Sequence, residues 1–236
     1  MIDAEEVKTD ERRPAVFINR DRALVRLGLR PIGFLDFQKE MRTRWGYKPG
    51  TGCYWADYPE EELRPAESVF RTGLKWWALS DLAEIAVYSN AVESLPRIVE
   101  AGYGIVVLAN QSELVAGGME IEMAIEVHRA AMGLYRMAGI RIDGSYLCFH
   151  EAEQDDCECR LPKPAMFHQA AKDLSLNLGD SWFISADPLL LEAGLTAGLA
   201  PERLVQIADG GECARGEFGE VLLDMYYAVN RILGKE

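Results

Sequence analysis

Pro14-Ala15-Val16-Phe17-Ile18-Asn19-Arg20-Asp21 reads as a short apolar run that stops abruptly on polar residues. Ala15 to Ile18 are apolar without alternation, the pattern of a strand covered on both faces, as in a parallel sheet. The polar residues that follow then stand at its carboxyl edge, where open α/β sheets carry their sites. Gly104-Ile105-Val106-Val107-Leu108-Ala109 and Ser181-Trp182-Phe183-Ile184-Ser185 repeat the pattern, and Gly144 to Cys148 and Arg203 to Ile207 are weaker versions of it. Helical spacing of apolar residues marks Val92 to Ala101, Glu120 to Ala138, Ala165 to Leu174, Leu189 to Ala197 and Phe218 to Leu233. Strand and helix in alternation predict an α/β fold with a doubly wound, Rossmann-like parallel sheet.

Residues 1–12 are charged and aperiodic and read as a flexible tail, leaving 13–236 as a single domain. The stretch 22–80 breaks the rhythm with Gly, Pro and aromatics such as Phe34, Phe37, Trp45, Tyr47, Trp76 and Trp77. It reads as an insertion or cap, serving either as a protein contact surface or simply as a cover for the sheet. The formal net charge of -13 argues against nucleic acid and anionic membrane, whose phosphates an acidic surface repels. No apolar run approaches the ~18 residues of a membrane span, and the first residues do not resemble a signal peptide, so a cytoplasmic location is expected.

Cys148-Phe149-His150 and Cys157-Glu158-Cys159 bring three thiols and an imidazole together in a loop spanning 148–160. That is the ligand set of a closed, tetrahedral, structural zinc site with no coordination position left for substrate. The competing account is ordinary buried or free cysteines, as expected of Cys53 and Cys213. His128 and His168 lie in helical patterns and receive no role.

Taken together, these residues resemble the heptose bisphosphate and histidinol phosphatases of the haloacid dehalogenase superfamily. The likeness covers Pro14 to about Val25 and then Val92 to Gly198. It rests on the opening stretch, on Val106-Val107-Leu108-Ala109-Asn110-Gln111-Ser112, on the cluster running into Cys159-Arg160-Leu161-Pro162-Lys163-Pro164, and on Ser181-Trp182-Phe183-Ile184-Ser185-Ala186. The resemblance implies a nucleophilic aspartate where this chain has Asn19, and an acid-base aspartate kept as Asp21. It also implies a hydroxyl where Ala109 stands, a lysine at Leu161, magnesium-binding acids at Ala186 and Leu190, and an arginine at Ala116.

A carboxamide cannot form the acyl phosphate, and phosphoryl transfer relies on cations that these positions no longer supply. Magnesium is therefore not expected, and the chain reads as a non-catalytic pseudophosphatase acting by binding a protein partner or a sugar phosphate. Asp21, Asn110, Gln111, Ser112 and Arg160 are the candidate ligand-binding residues that remain, with loop-shaping as their plainer role. An active sugar-phosphate phosphatase with a rearranged site, using Asp187 or Lys163, is the alternative. A sugar-phosphate sensor is a further one.

Overall fold

The computed structural model describes residues 12–21, 23–27, 53–56, 85–111, 121–150, 157–208, 215–216 and 219–235. Strand β1 (Ala15–Asn19) is central and fully buried, as its unbroken apolar run requires. It pairs in parallel with β5 (Gly104–Asn110) on one side and β7 (Trp182–Ser185) on the other. Beyond these lie β6 (Gly144–Cys148) and β8 (Leu204–Gln206), both parallel to their neighbours. The expected parallel sheet is present, and both weaker strand candidates belong to it.

Its outer edge differs from the expectation. β3 (Cys53–Ala56), from within the 22–80 stretch, adds antiparallel to β6 and gives the sheet order β3-β6-β5-β1-β7-β8. An inserted segment running back along the sheet can pair only in that sense, and doing so covers the open edge of β6. The same stretch contributes β2 (Val25–Leu27), which pairs with β4 (Ile85–Val87) as a separate antiparallel ribbon beside the end of β1. The aromatic residues named above lie outside the described residues.

Helices α1 (Ser89–Glu100), α2 (Ile121–Met137) and α5 (Met225–Ile232) cover one face of the sheet, with Leu95, Ile98, Tyr135 and Val229 packed on Val16 and Ile18. Helices α3 (Ala165–Asp173) and α4 (Pro188–Ala197) cover the other, where Phe17, Phe167, Phe183 and Leu191 meet. Phe167 bridges the layers, its ring centroid 4.7 Å from Phe17 and 4.9 Å from Phe183. The final helix is shorter than its sequence pattern, because Gly219–Glu220 forms β10 against β9 (Arg215–Gly216) and Asp224 caps the helix by accepting from the Tyr226 and Tyr227 amides. No described helix is long and apolar enough to cross a membrane.

Candidate functional site

Parallel strands end on one side, and that shared ending assembles the residues singled out by sequence. Asn19 is in register with Leu108, Asn110 with Cys148, and Ile18 with Ile184, so Asn19, Ala109, Asn110, Cys148 and Ser185 line a single carboxyl edge. Asn19 is 4% exposed and its Nδ2 donates to Ser185 Oγ at 3.4 Å. Ala109 is fully buried, Leu161 is 1% exposed and Ala186 is 7% exposed. Leu161 packs into the core layer that holds Phe17 and Cys148, and the half-buried Leu190 packs against it. These positions therefore present methyl and isobutyl groups, which can offset no phosphate charge and ligate no divalent cation.

The polar neighbours are engaged elsewhere. Asn110 spans the gap to the next loop, its Nδ2 donating to Leu161 O and its Oδ1 accepting from Leu161 N, both at 2.9 Å. Asp187 accepts from Leu189 N at 3.0 Å as the N-cap of α4, which turns its carboxylate into the helix end. Lys163 Nζ donates to Cys157 O at 2.8 Å and to Glu158 Oε1 at 3.1 Å, on the cysteine loop. Arg160 Nη1 donates to His150 O at 3.2 Å. Ser112 lies outside the described residues.

Asp21 is held by a residue to which the sequence pattern attached no role. Arg20, without exposure, donates from Nε and Nη2 to Asp21 Oδ1 at 2.8 and 2.7 Å, and from Nη2 to Gln111 Oε1 at 2.6 Å. Gln111 Nε2 closes the ring by donating to Asp21 Oδ2 at 3.0 Å. Both carboxylate oxygens of Asp21 thus accept from fixed donors, while its side chain remains 38% exposed. A buried guanidinium needs such a counter-charge, so the parity that turns Arg20 inward from the end of β1 is the legible but unread signal.

At the end of β6, Cys148, His150, Cys157 and Cys159 converge with their ligand atoms all within 4.8 Å of one another. The Cys148 sulfur lies 3.6 Å from His150 Nδ1 and 3.5 Å from the Cys157 sulfur, and no disulfide joins the three cysteines. A tetrahedral zinc with Zn–S of about 2.3 Å and Zn–N of about 2.0 Å holds its ligand atoms about 3.5–3.8 Å apart. The Cys148 distances match that spacing, while Cys157 stands closer, 2.9 Å from His150 Nδ1 and 3.0 Å from the Cys159 sulfur, so it is the convergence and chemistry of the donor set that suit a closed metal site. The Cys148 thiol is lowered from its ordinary value to about 5, first by hydrogen bonding from Cys159, against the opposing effect of burial, and with help from His150 and Cys157. A thiolate is the form that ligates metal. The four residues can hold a metal ion as a group.

No family model matches the chain. It is 31% identical over 120 residues to a D-glycero-beta-D-manno-heptose-1,7-bisphosphate 7-phosphatase of Haemophilus ducreyi, covering 48% of this chain and 66% of that protein. The Haemophilus influenzae protein of the same name is 27% identical over 152 residues, covering 61% and 81%. The chain spans 59% of the length of the Pasteurella multocida relative, and less than two thirds of several others. Among solved structures, a HAD-like phosphatase of Mesorhizobium loti superposes with a TM-score of 0.59 at 22% identity, covering 94% of this chain and 85% of that one. The D,D-heptose 1,7-bisphosphate phosphatase of B. bronchiseptica, complexed with magnesium and phosphate, superposes with a TM-score of 0.54 at 20% identity, covering 65% and 87%.

Proposed function

We propose, for a chain that belongs to the haloacid dehalogenase superfamily and within it to the heptose bisphosphate phosphatase-like family, that it is a non-catalytic member acting by binding. The observation that carries this is that Ala109, Leu161 and Ala186, on or following the strands that share a carboxyl edge with Asn19, are apolar and buried in the core, where phosphoryl transfer needs charge. A fold does not confer an activity without its site. The two residues named as stand-ins are committed, Asp187 to a helix cap and Lys163 to the cysteine loop.

The metal of the cysteine cluster is zinc in this reading, because three thiolates and one imidazole suit zinc and not magnesium. Its role is to close the loop after β6. The partner is a protein, met through the aromatic-rich 22–80 stretch, a proposal supported by its composition alone.

Phosphate release from heptose bisphosphate and from an aryl phosphate, with excess magnesium, tests the reading. Wild type and Asn19→Asp are expected to show no turnover above a protein-free blank. The combined variant Asn19→Asp, Leu161→Lys, Ala186→Asp, Leu190→Asp is the comparison that regains the implied groups. Metal-dependent turnover by wild type or by the single variant would sink the proposal and favour the active phosphatase.

A further inference from the structure

The cysteine cluster has one member unlike the other two. Cys148 is fully buried at the end of β6 and Cys159 is 4% exposed, whereas Cys157 is only half-buried. Its sulfur also reaches all the other donors, lying 2.9 Å from His150 Nδ1, 3.0 Å from the Cys159 sulfur and 3.5 Å from the Cys148 sulfur. Sulfurs so placed need approach by only about 1–1.5 Å to reach disulfide bonding distance. The surrounding backbone is tied down. Lys163 Nζ donates to Cys157 O at 2.8 Å, Arg160 Nη1 donates to His150 O at 3.2 Å, and Leu161 pairs through its backbone with Asn110. The loop thus holds one thiol where solvent reaches it, with two buried thiols in contact behind it.

We propose that the cluster is a reversible redox switch, in which an oxidant of the peroxide class joins Cys157 to a neighbouring cysteine as a disulfide and so releases the metal. The proposal rests on the reading of the cluster as a zinc site. The Cys157 thiolate attacks a peroxide oxygen, so that an S–O bond forms, the O–O bond breaks and hydroxide leaves a sulfenic acid behind. The thiolate of Cys159 or Cys148 then attacks that sulfur. An S–S bond forms, the S–O bond breaks and a second hydroxide departs to be protonated by water. The two sulfurs lose two electrons and the peroxide gains them.

A disulfide sulfur carries no charge and is a poor ligand. One thiolate and His150 then remain, too few for a closed tetrahedral site, so oxidation and metal binding exclude one another. The same loop brings Leu161 to its pairing with Asn110, and through that pairing the opened loop loosens the carboxyl edge.

The test uses the full chain, purified without chelator, in a Cys53→Ser, Cys213→Ser background that leaves the cluster as its only thiols. Zinc is measured first. Hydrogen peroxide is then added at a few equivalents, while a chromogenic chelator follows metal release and thiol titration, intact mass and peptide mapping follow the sulfurs. About one metal and about two thiols per chain are expected to be lost together, with a mass lower by about 2 Da and Cys157 in the mapped disulfide. Dithiothreitol with added zinc is expected to restore both. Metal retained with all three thiols intact, a disulfide that omits Cys157, or oxidation that dithiothreitol does not reverse overturns the proposal. Protein that holds no zinc before oxidant overturns the zinc reading instead, and mapping still decides the disulfide. If the background variant fails to fold, peptide mapping of oxidised wild type decides in its place.

Discussion

Asn110 shows how a polar residue at the carboxyl edge can serve shape. Its amide makes a reciprocal pair with the backbone of Leu161, tying the end of β5 to the loop that leads from the cysteine cluster. Asn110→Ala removes both bonds at once and leaves a peptide donor and acceptor short of partners. A loss of about 1–3 kcal/mol is expected, read as a lowered midpoint with unchanged slope in urea unfolding. Leu161→Lys bears on the same loop from the other side. At 1% exposure an ammonium there loses its hydration, so this variant alone should be destabilised by about 2 kcal/mol or more. An undiminished midpoint would mean that the position is open enough to accept a lysine, against the burial of Leu161.

At the scale of elements, α4 is seated by two features at its ends and centre. Asp187 caps it, with Pro188 at the first helical position and Gly198 closing it in a left-handed conformation at φ 98°. Asp187→Ala is expected to cost about 1 kcal/mol as a lost cap and to leave any phosphate-directed behaviour untouched. Midway along, Gly194 lets the helix approach the sheet closely. A Cβ there would stand 2.6 Å from Leu204 Cδ2 and 3.4 Å from Phe183 Cδ1. Gly194→Ala should therefore destabilise by about 1–3 kcal/mol despite the better helix propensity of alanine, and calorimetry would reveal the opposite sign if the layers can part freely.

For the whole molecule, a metal held by the cysteine cluster would set one condition of stability, and protons set another. Chelation of the cysteine cluster, or Cys157→Ser, is expected to lower the melting temperature and expose the loop after β6 to protease, because metal affinity at a closed site is folding energy. Equal melting with and without chelator would show the cluster to be metal-free. His128 gives a separate dependence on pH. Its folded-state affinity for protons is depressed by burial and by Arg20, whereas the unfolded chain takes up a proton near the ordinary value of about 6.5. Below that pH the unfolded state binds more protons, so stability falls with acidification. Glu126, raised by burial, acts in the opposite sense. Comparing wild type with His128→Leu isolates the histidine, and the variant should lose less stability between about pH 7 and 5. Parallel curves would place the proton elsewhere.

By itself the sequence determined the layer order and the location of the site. Unbroken apolar runs such as Ala15 to Ile18 admit burial on both faces only, and parallel strands so covered must end together, which brings Asn19, Asn110 and Cys148 to one edge. The cysteine cluster was equally legible, because its spacing is local and its chemistry narrow. Tertiary structure alone decided the rest. That Cys53–Ala56 would add antiparallel to β6 depends on where an aperiodic segment meets an open edge, which local pattern does not encode. Strand parity could point Arg20 inward, but not show that it would clamp Asp21 and Gln111, nor that His128 would be buried without a hydrogen-bonding partner. Such arrangements join residues about a hundred positions apart in sequence, and only the packing of α2 over β1 creates the low-dielectric space in which their charges matter.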